Sequence, residues 1–489
     1  MAESALRARS AQGIIEHMRR VAAPGQQRLD ENTLRQLTDL TRDLLAATRD
    51  THDAKGAEDE HARFLSIQHR ELSLPEDDLA GRLKDATVLV TGGTGCVGST
   101  LMAQLAARAA GRVVSVSRGV TACWQRVDHA EYLTADIRDR AALAVTVGQA
   151  RPDVIFHVAA QRDPGLAEVE VHRTIATNVL GTRNVIEAAR LAGVPQVVYA
   201  STGKALRPYS GEVYTASKRA AEWLMAAAAS SGGLTASAAR FTHVIDNSII
   251  YRRLLDLSGP APRAIPAARE PGPPTREPIR LHDPDICFYV QSALESAQLL
   301  LAACLGTTVP TPGDDPRAPE ERELRVHAIS DLGLPMTLLD LALGVLASTK
   351  STTPVYFSGY DAGYEKAPFP GLYDPLTAGD VSPLLNAFEA ARITRSPTSM
   401  TDAARLEFAP DPRLAKQLAA LEEDCDRTAS PAQLRGRLSD LSWALLDSTL
   451  RAAPRRALER CAARARRHWD AMIPDHRRML EAIDDLIAR

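Results

Sequence analysis

Residues Thr87 to Ser99 read TVLVTGGTGCVGS, and no other stretch constrains the fold as strongly. Val88, Leu89 and Val90 form a short, wholly apolar run, the pattern of a strand buried on both faces of a parallel sheet. Gly92, Thr94, Gly95, Cys96, Val97 and Gly98 then turn the chain into a helix beginning near Ser99. The three glycines remove side chains that would hold backbone amides away from a pyrophosphate. The helix N-terminus adds free N–H groups and a positive dipole end. A glycine turn without a ligand is the plain alternative. The strand before it and the helix after it are the context that makes a dinucleotide site the better reading.

Further strands are predicted at 87–91, 112–117, 153–158, 196–201 and 235–241, alternating with Ala- and Leu-rich helical stretches. That alternation predicts an α/β fold: a Rossmann-type, doubly wound parallel sheet with a smaller C-terminal substrate domain and added helical segments at both ends. Four regions are expected. Residues 1–63 are a helical extension in which Leu34, Leu37, Leu40 and Leu44 share one face and Thr33 with Gln36 suggests a capping box. A polar linker is expected at 51–61. Residues 64–257 are the dinucleotide-binding domain. Residues 258–379 hold a lid or surface loop and a substrate subdomain, because seven prolines between 258 and 278 exclude helix and central strand alike. Within it, helices are expected over 286–303 and 334–347 and strands over 324–329 and 354–357, before GYDAGYEK. From 380 to 489 the pattern reads as helical.

Composition narrows the function classes. Apolar residues make up 45% and charged residues 24% of the 489-residue chain, the balance of an ordinary globular protein. A net charge of −3 gives no global pull toward nucleic acid. The ten arginines against six acids in 451–489 fit a solvated helix face. Six cysteines without paired spacing argue against a structural zinc or a disulfide framework, and no metal site is expected. No apolar run reaches the length of a membrane span or a signal peptide, so a soluble, cytoplasmic protein is expected.

The chemistry-bearing residues follow in chain order. The second strand ends at Ser117-Arg118, where a dinucleotide site usually carries an acid for the ribose 2′-hydroxyl. Arg118 suits a 2′-phosphate instead, which favours NADP with NAD as the alternative. Asp136 and Ile137 follow the next apolar stretch, and Asp136 suits the adenine amino group. Ala159 and Ala160 leave room at a strand end for a nicotinamide ribose. Asn178 is either a neutral helix residue or holds a backbone group or a water in a proton path. Ser201 and Thr202 end a strand where parallel sheets bind ligands. Tyr214 and Lys218 follow, four apart on one helix face. A nearby ammonium lowers a phenol pKa, so Tyr214 is expected to be an acid or base, with Thr202 positioning the substrate oxygen.

These motifs resemble the extended short-chain dehydrogenase/reductases. PDVIFHVAAQRDPGLAE, TNVLGTRNVIEAA, VVYASTGKALRP and TASKRAAE are similar to the "PDVVFHAAA", "TNVLGT.NV.EAA", "STDKAVNP" and "ASKR.AE" patterns of CapD-like polysaccharide-biosynthesis proteins. That group comprises nucleotide-sugar 4,6-dehydratases and epimerases, and the resemblance spans roughly residues 65–375, fading after 225. It implies an NAD(P)-dependent enzyme that moves hydride on a nucleotide-sugar, with a homo-oligomer expected. Gly92, Thr94, Gly95, Cys96, Val97, Gly98, Ser117, Arg118, Asp136, Ile137, Ala159, Ala160, Asn178, Tyr214 and Lys218 would hold the cofactor. Thr202, Tyr214 and Lys218 would be catalytic. Gln161, Arg162, His243 and Asn247 are candidate substrate contacts.

Two departures matter. Where the dehydratases carry the Asp implied to expel the 6-hydroxyl, this chain has Gly203. The substrate-side "GNV" is Thr242-His243-Val244, and the arginine of "MTRYF" is Cys287. Hydride chemistry is therefore expected to be intact and sugar recognition altered. A ketoreductase or dehydrogenase of specialised metabolism, or a non-catalytic NADP-binding scaffold or sensor, are the competing readings.

Overall fold

Among the described residues nine strands, the central ones buried along most of their length, form the main sheet, and their order decides where the glycine turn lies. They are β1 (Thr87–Thr91), β2 (Arg112–Ser117), β3 (Glu131–Thr134), β4 (Val154–His157), β5 (Gln196–Thr202), β6 (Thr235–Phe241), β7 (Leu324–Ile329), β8 (Ile393–Ser396) and β9 (Thr401–Leu406). In the computed structural model they lie in the order β8-β9-β7-β6-β5-β4-β1-β2-β3. All neighbours from β7 to β3 pair in parallel, while β9 runs antiparallel to both β7 and β8. Strand β1 sits between β2 and β4, so the connections leaving β1 and β4 diverge at their C-terminal ends. Ligands bind at such a reversal in doubly wound sheets. The sheet is flanked by helices on both faces: Cys96–Ala107 and Ala293–Leu305 on one, and Arg140–Ala150, Gly181–Leu191 and Val213–Ser230 on the other.

The residues described are 10–26, 28–49, 57–120, 122–207, 211–246, 249–259, 277–306, 323–360, 382–386, 389, 393–396, 400–466 and 474–489. Most of the proline-rich 258–278 stretch and of GYDAGYEK, and Asn247, lie outside them. No helix among the described residues is long and apolar enough to cross a membrane.

Two units emerge, and their boundaries differ from the expected ones. The sheet unit comprises Arg70–Thr242, Ala293–Leu332 and Phe369–Arg489, and the second comprises Met1–His69, His243–Ser292 and Gly333–Pro368. The expected division at 63/64, 257/258 and 379/380 is thus replaced by a discontinuous one. The reason is visible in the second unit's core. Leu338–Thr349 is a helix whose residues Leu338 to Leu346 are buried apart from Asp340, so it needs partners on several sides. Ile14, Met18, Leu37, Leu44 and Phe64 supply them, together with Phe357. The amino-terminal helices Ala11–Val21, Glu31–Arg49 and Ala57–Ser66 therefore belong to this unit rather than forming a separate extension.

Three local expectations are corrected. The Thr33 amide donates to Asp30 Oδ1 at 2.7 Å, so Asp30 caps the Glu31–Arg49 helix and not Thr33. The expected helix over 286–303 begins only at Ala293, because Cys287–Phe288 pairs with Met336–Thr337 and Val290–Gln291 pairs with His243–Val244. Beyond 380 the chain is not wholly helical: β8 and β9 cover the edge of β7, which would otherwise expose unpaired backbone groups. The helices Pro412–Asp426 and Pro431–Ala452 follow. The latter opens with a full capping box between Ser430 and Gln433.

Candidate active site

The glycine turn closes on its neighbours as tightly as a phosphate cradle requires. Gly92 has φ +73°, and a Cβ there would stand 2.9 Å from both Cα and N of Ala159. A Cβ at Gly98 would meet the Gly92 carbonyl oxygen at 2.2 Å, so this glycine lets the helix lie against the turn. Gly95 caps the Cys96–Ala107 helix without a side chain, which leaves the first-turn amides facing outward. These residues fit a dinucleotide pyrophosphate.

At the end of β2, Ser117 is half-buried and Arg118 exposed. Asp136 accepts from the Arg138 backbone amide at 3.0 Å and pairs with its guanidinium. Those bonds, with Arg118's charge nearby, hold the carboxyl below its ordinary range. Ile137 is buried, and its carbonyl accepts from Asn184 Nδ2 at 2.9 Å.

A chain of hydrogen bonds ties β1, β4 and the neighbouring helix together. The Val158 and Ala159 amides donate to Thr91 Oγ1 at 3.2 and 3.3 Å. Thr91 Oγ1 lies 2.8 Å from His157 Nδ1, His157 Nε2 lies 3.0 Å from Thr182 Oγ1, and the Thr182 hydroxyl donates to the Asn178 carbonyl at 2.7 Å. Because the Thr182 proton goes to Asn178, Thr182 accepts from His157 Nε2–H, and Nδ1 accepts from Thr91. That assignment needs a neutral imidazole. Burial, with Lys218's charge adding to it, brings His157 down to about 3.

Asn178 is buried in a π-helical stretch, Ala176–Leu180. Its amide exchanges bonds with the Gln161 backbone at 2.8 and 2.9 Å and donates to Ser217 Oγ at 3.0 Å. Of the alternatives the sequence left open, it holds a backbone group. Through it the segment after Ala159 and Ala160 is stitched to the Val213–Ser230 helix, and single-turn π distortions of this kind recur at functional sites.

Tyr214 lies in the first turn of that helix, and the Thr202 hydroxyl at the end of β5 acts to lower the pKa of its phenol. Lys218, one turn on, is buried. Its Nζ donates to the Ala200 carbonyl at 2.7 Å and sits 4.2 Å from the centre of the Tyr199 ring. The expected depression of the phenol pKa is not found. Burial pushes Tyr214 up to about 12, opposed by the Thr202 hydroxyl and by the charge of Arg162 rather than of Lys218. Burial likewise brings Lys218 down to about 7, opposed by Glu222. Desolvation outweighs pairing here because both charged forms lose water.

Gly92, Thr94, Gly95, Cys96, Val97, Gly98, Ser117, Arg118, Asp136, Ile137, Ala159, Ala160, Asn178, Thr202, Tyr214 and Lys218 all belong to the sheet unit, as do Gln161 and Arg162. His243 belongs to the other unit, where it packs edge-on against Phe288 at 5.2 Å and burial brings it down to about 4. Among the described residues no His, Cys, Asp and Glu side chains cluster as a metal site.

One feature escaped the sequence. The Ser201 hydroxyl donates to buried Glu222 at 2.6 Å. Glu222 in turn binds Arg240 at 2.8 and 2.9 Å, and Arg240 binds Glu389 at 2.6 and 3.1 Å. Glu222 lies four residues beyond Lys218 on the same helix face, which was the available signal.

Residues 88–252 match the NAD dependent epimerase/dehydratase family. The chain is 24% identical over 314 residues to the probable polysaccharide biosynthesis protein EpsC of Bacillus subtilis, covering 61% of this chain and 47% of that protein. It is 24% identical over 241 residues to the capsular polysaccharide biosynthesis protein CapD of Staphylococcus aureus, covering 46% of this chain and 37% of the relative. It is 31% identical over 147 residues to an inverting UDP-N-acetylglucosamine 4,6-dehydratase of Campylobacter jejuni, covering 29% and 43%. The chain thus spans less than half the length of each of these relatives.

Proposed function

Residues 88–252 form an extended short-chain dehydrogenase/reductase domain of the NAD dependent epimerase/dehydratase family, and on that premise we propose that the protein is an epimerase-type enzyme acting on a nucleotide-linked sugar, with NADP as its cofactor. The observation that carries this reading is the arrangement of Tyr214 in the first turn of its helix, Lys218 buried one turn on with its Nζ on the Ala200 carbonyl at the end of β5, and the glycine turn on β1.

A bound nicotinamide dinucleotide supplies the hydride acceptor and donor. The rest is done by this chain's own residues. Thr202 holds the substrate oxygen beside Tyr214. The phenol, protonated at neutral pH, is set to donate to a ketone oxygen, and it takes the proton back from the hydroxyl when the reaction runs the other way. Arg162 supplies the positive charge that eases that second role. Lys218, whose Nζ donates to the Ala200 carbonyl at 2.7 Å, would hold the cofactor ribose. With a dinucleotide held by the glycine turn, return of hydride to the opposite face of the ketone would invert the carbon.

Gly203 favours inversion over dehydration. The position holds no carboxyl, and a side chain there would have to displace the end of Leu384, whose Cδ2 lies 2.7 Å from a Cβ built on Gly203. The preference for NADP rests on Arg118 at the end of β2.

The test is to incubate the full chain with UDP- and GDP-sugars and NADP in deuterium oxide. A 4-epimer without deuterium at C5 or C6 supports the proposal, deuterium at those carbons indicates dehydration, and net reduction of NADP to NADPH indicates a dehydrogenase. No product from any nucleotide-sugar would overturn the sugar reading.

A further inference from the structure

The buried charges behind the strand end lead outside the region matched by the family. Glu222 and Arg240 are fully buried, Arg219 is 1% exposed and Glu389 is 5% exposed. Arg219 approaches Glu222 at 3.1 Å and Glu389 at 3.5 Å and also donates to Thr449 Oγ1 at 3.0 Å. Two guanidinium groups thus balance two carboxylates. Such a group is costly to bury and collapses if one member is lost, so its position matters more than its net stabilisation.

The position is informative. Glu389 accepts from the Asn386 amide at 2.9 Å, and Arg240 donates to the Leu384 carbonyl at 3.2 Å. The segment held in this way touches the turn directly after Thr202. Asn386 Nδ2 donates to the Leu206 carbonyl at 2.9 Å, and Leu384 packs over Gly203. From the other side, Glu222 takes the hydroxyl of Ser201, the residue directly before Thr202. Thr202 itself caps the turn, accepting from the Lys204 amide at 3.3 Å.

We infer that Glu389 is a positioning residue for this site: acting through Arg240, Leu384 and Asn386, it clamps the Gly203–Leu206 turn and so sets where the Thr202 hydroxyl stands relative to Tyr214. This inference rests on the reading of Thr202 and Tyr214 as the groups that hold the substrate oxygen. It gives the segment beyond residue 368 a part in a site whose other residues lie before residue 220.

The experiment compares Glu389→Gln, Glu389→Asp and Asn386→Ala in the full chain. The last leaves all four charges in place and removes the side-chain tie to Leu206, so it covers the case in which Glu389→Gln does not fold. Three quantities are read: amide exchange of the 203–206 peptide against that of 92–98, NADPH affinity, and kcat and KM on the nucleotide-sugar identified above. The expected result is at least tenfold faster exchange at 203–206 in Asn386→Ala and Glu389→Gln. The glycine turn and NADPH affinity change less than twofold, kcat falls about tenfold at constant KM, and Glu389→Asp recovers most of the loss. Unchanged exchange at 203–206, or exchange and NADPH affinity lost together across the sheet unit, would overturn the inference. If the wild type turns over no nucleotide-sugar, the sugar reading fails by itself, and the exchange comparison still decides whether Glu389 clamps the turn.

Discussion

Leu384 closes over Gly203 so tightly that a Cβ on the glycine would stand 2.7 Å from Leu384 Cδ2. The two residues are 181 positions apart in sequence, and a side chain following Thr202 requires the Leu384 side chain to turn aside. Introducing the dehydratase-type carboxyl with Gly203→Asp is therefore expected to destabilise the protein by about 1–3 kcal/mol from overpacking and desolvation. Leu384→Ala should relieve much of that cost, giving a favourable coupling energy of about 1 kcal/mol or more in a double-mutant cycle measured by urea unfolding. Additive losses would mean that Leu384 does not occupy the acid's space.

Tyr214→Phe removes the one phenolic hydroxyl of the proposed proton donor. Turnover should fall by about 10²–10⁴-fold, the usual contribution of a positioned proton donor. NADPH binding, followed by fluorescence titration, should change little, because the ring stays in place. If a biological activity survives intact in this variant, the protein acts as a sensor or scaffold and not as a catalyst.

Arg118→Ala tests cofactor choice. A charged hydrogen bond to a 2′-phosphate contributes about 1.5–3 kcal/mol, so NADPH affinity should weaken by about 10- to 100-fold while NADH affinity stays within twofold. Equal losses for both cofactors would remove Arg118 from the discrimination.

The His157 network predicts an acid-sensitive fold. Its pKa of about 3 in the folded chain lies below the ordinary value of 6.5, so the unfolded chain binds the extra proton first as pH falls. The stabilisation is complete above pH 6.5 and is lost progressively between 6.5 and 3, at up to about 1.4 kcal/mol per pH unit. Buried His243 and His327, both near 4, act in the same direction. In urea unfolding between pH 6 and 5, above the range of most carboxylates, His157→Gln should therefore lose about 1 kcal/mol less than the wild type. Identical slopes would show that His157 does not titrate with folding.

Local sequence was enough to predict the sheet's central strands, the glycine turn, and the order in which Thr202, Tyr214 and Lys218 follow it. Each depends on a short-range rule: apolar runs bury, glycines admit a close backbone approach, and residues four apart share a helix face. The CapD-like resemblance lies in those same segments.

What tertiary structure decided came from long-range pairing. Whether the 393–406 region would be strand was set by the exposed edge of β7, and the Ala-rich sequence TDAARL gives no periodicity that would reveal it. The amino-terminal helices joined the second unit because Leu338–Thr349 needed apolar partners on several sides. The direction in which Tyr214 and Lys218 shift was decided by how much water each loses, a quantity that spacing along a helix does not contain. The chain alone marked the groups of the proposed hydride-transfer site. Folding decided their protonation, set the end of Leu384 against Gly203, and brought Glu389 behind the strand end, because burial and packing are properties of segments that meet only in three dimensions.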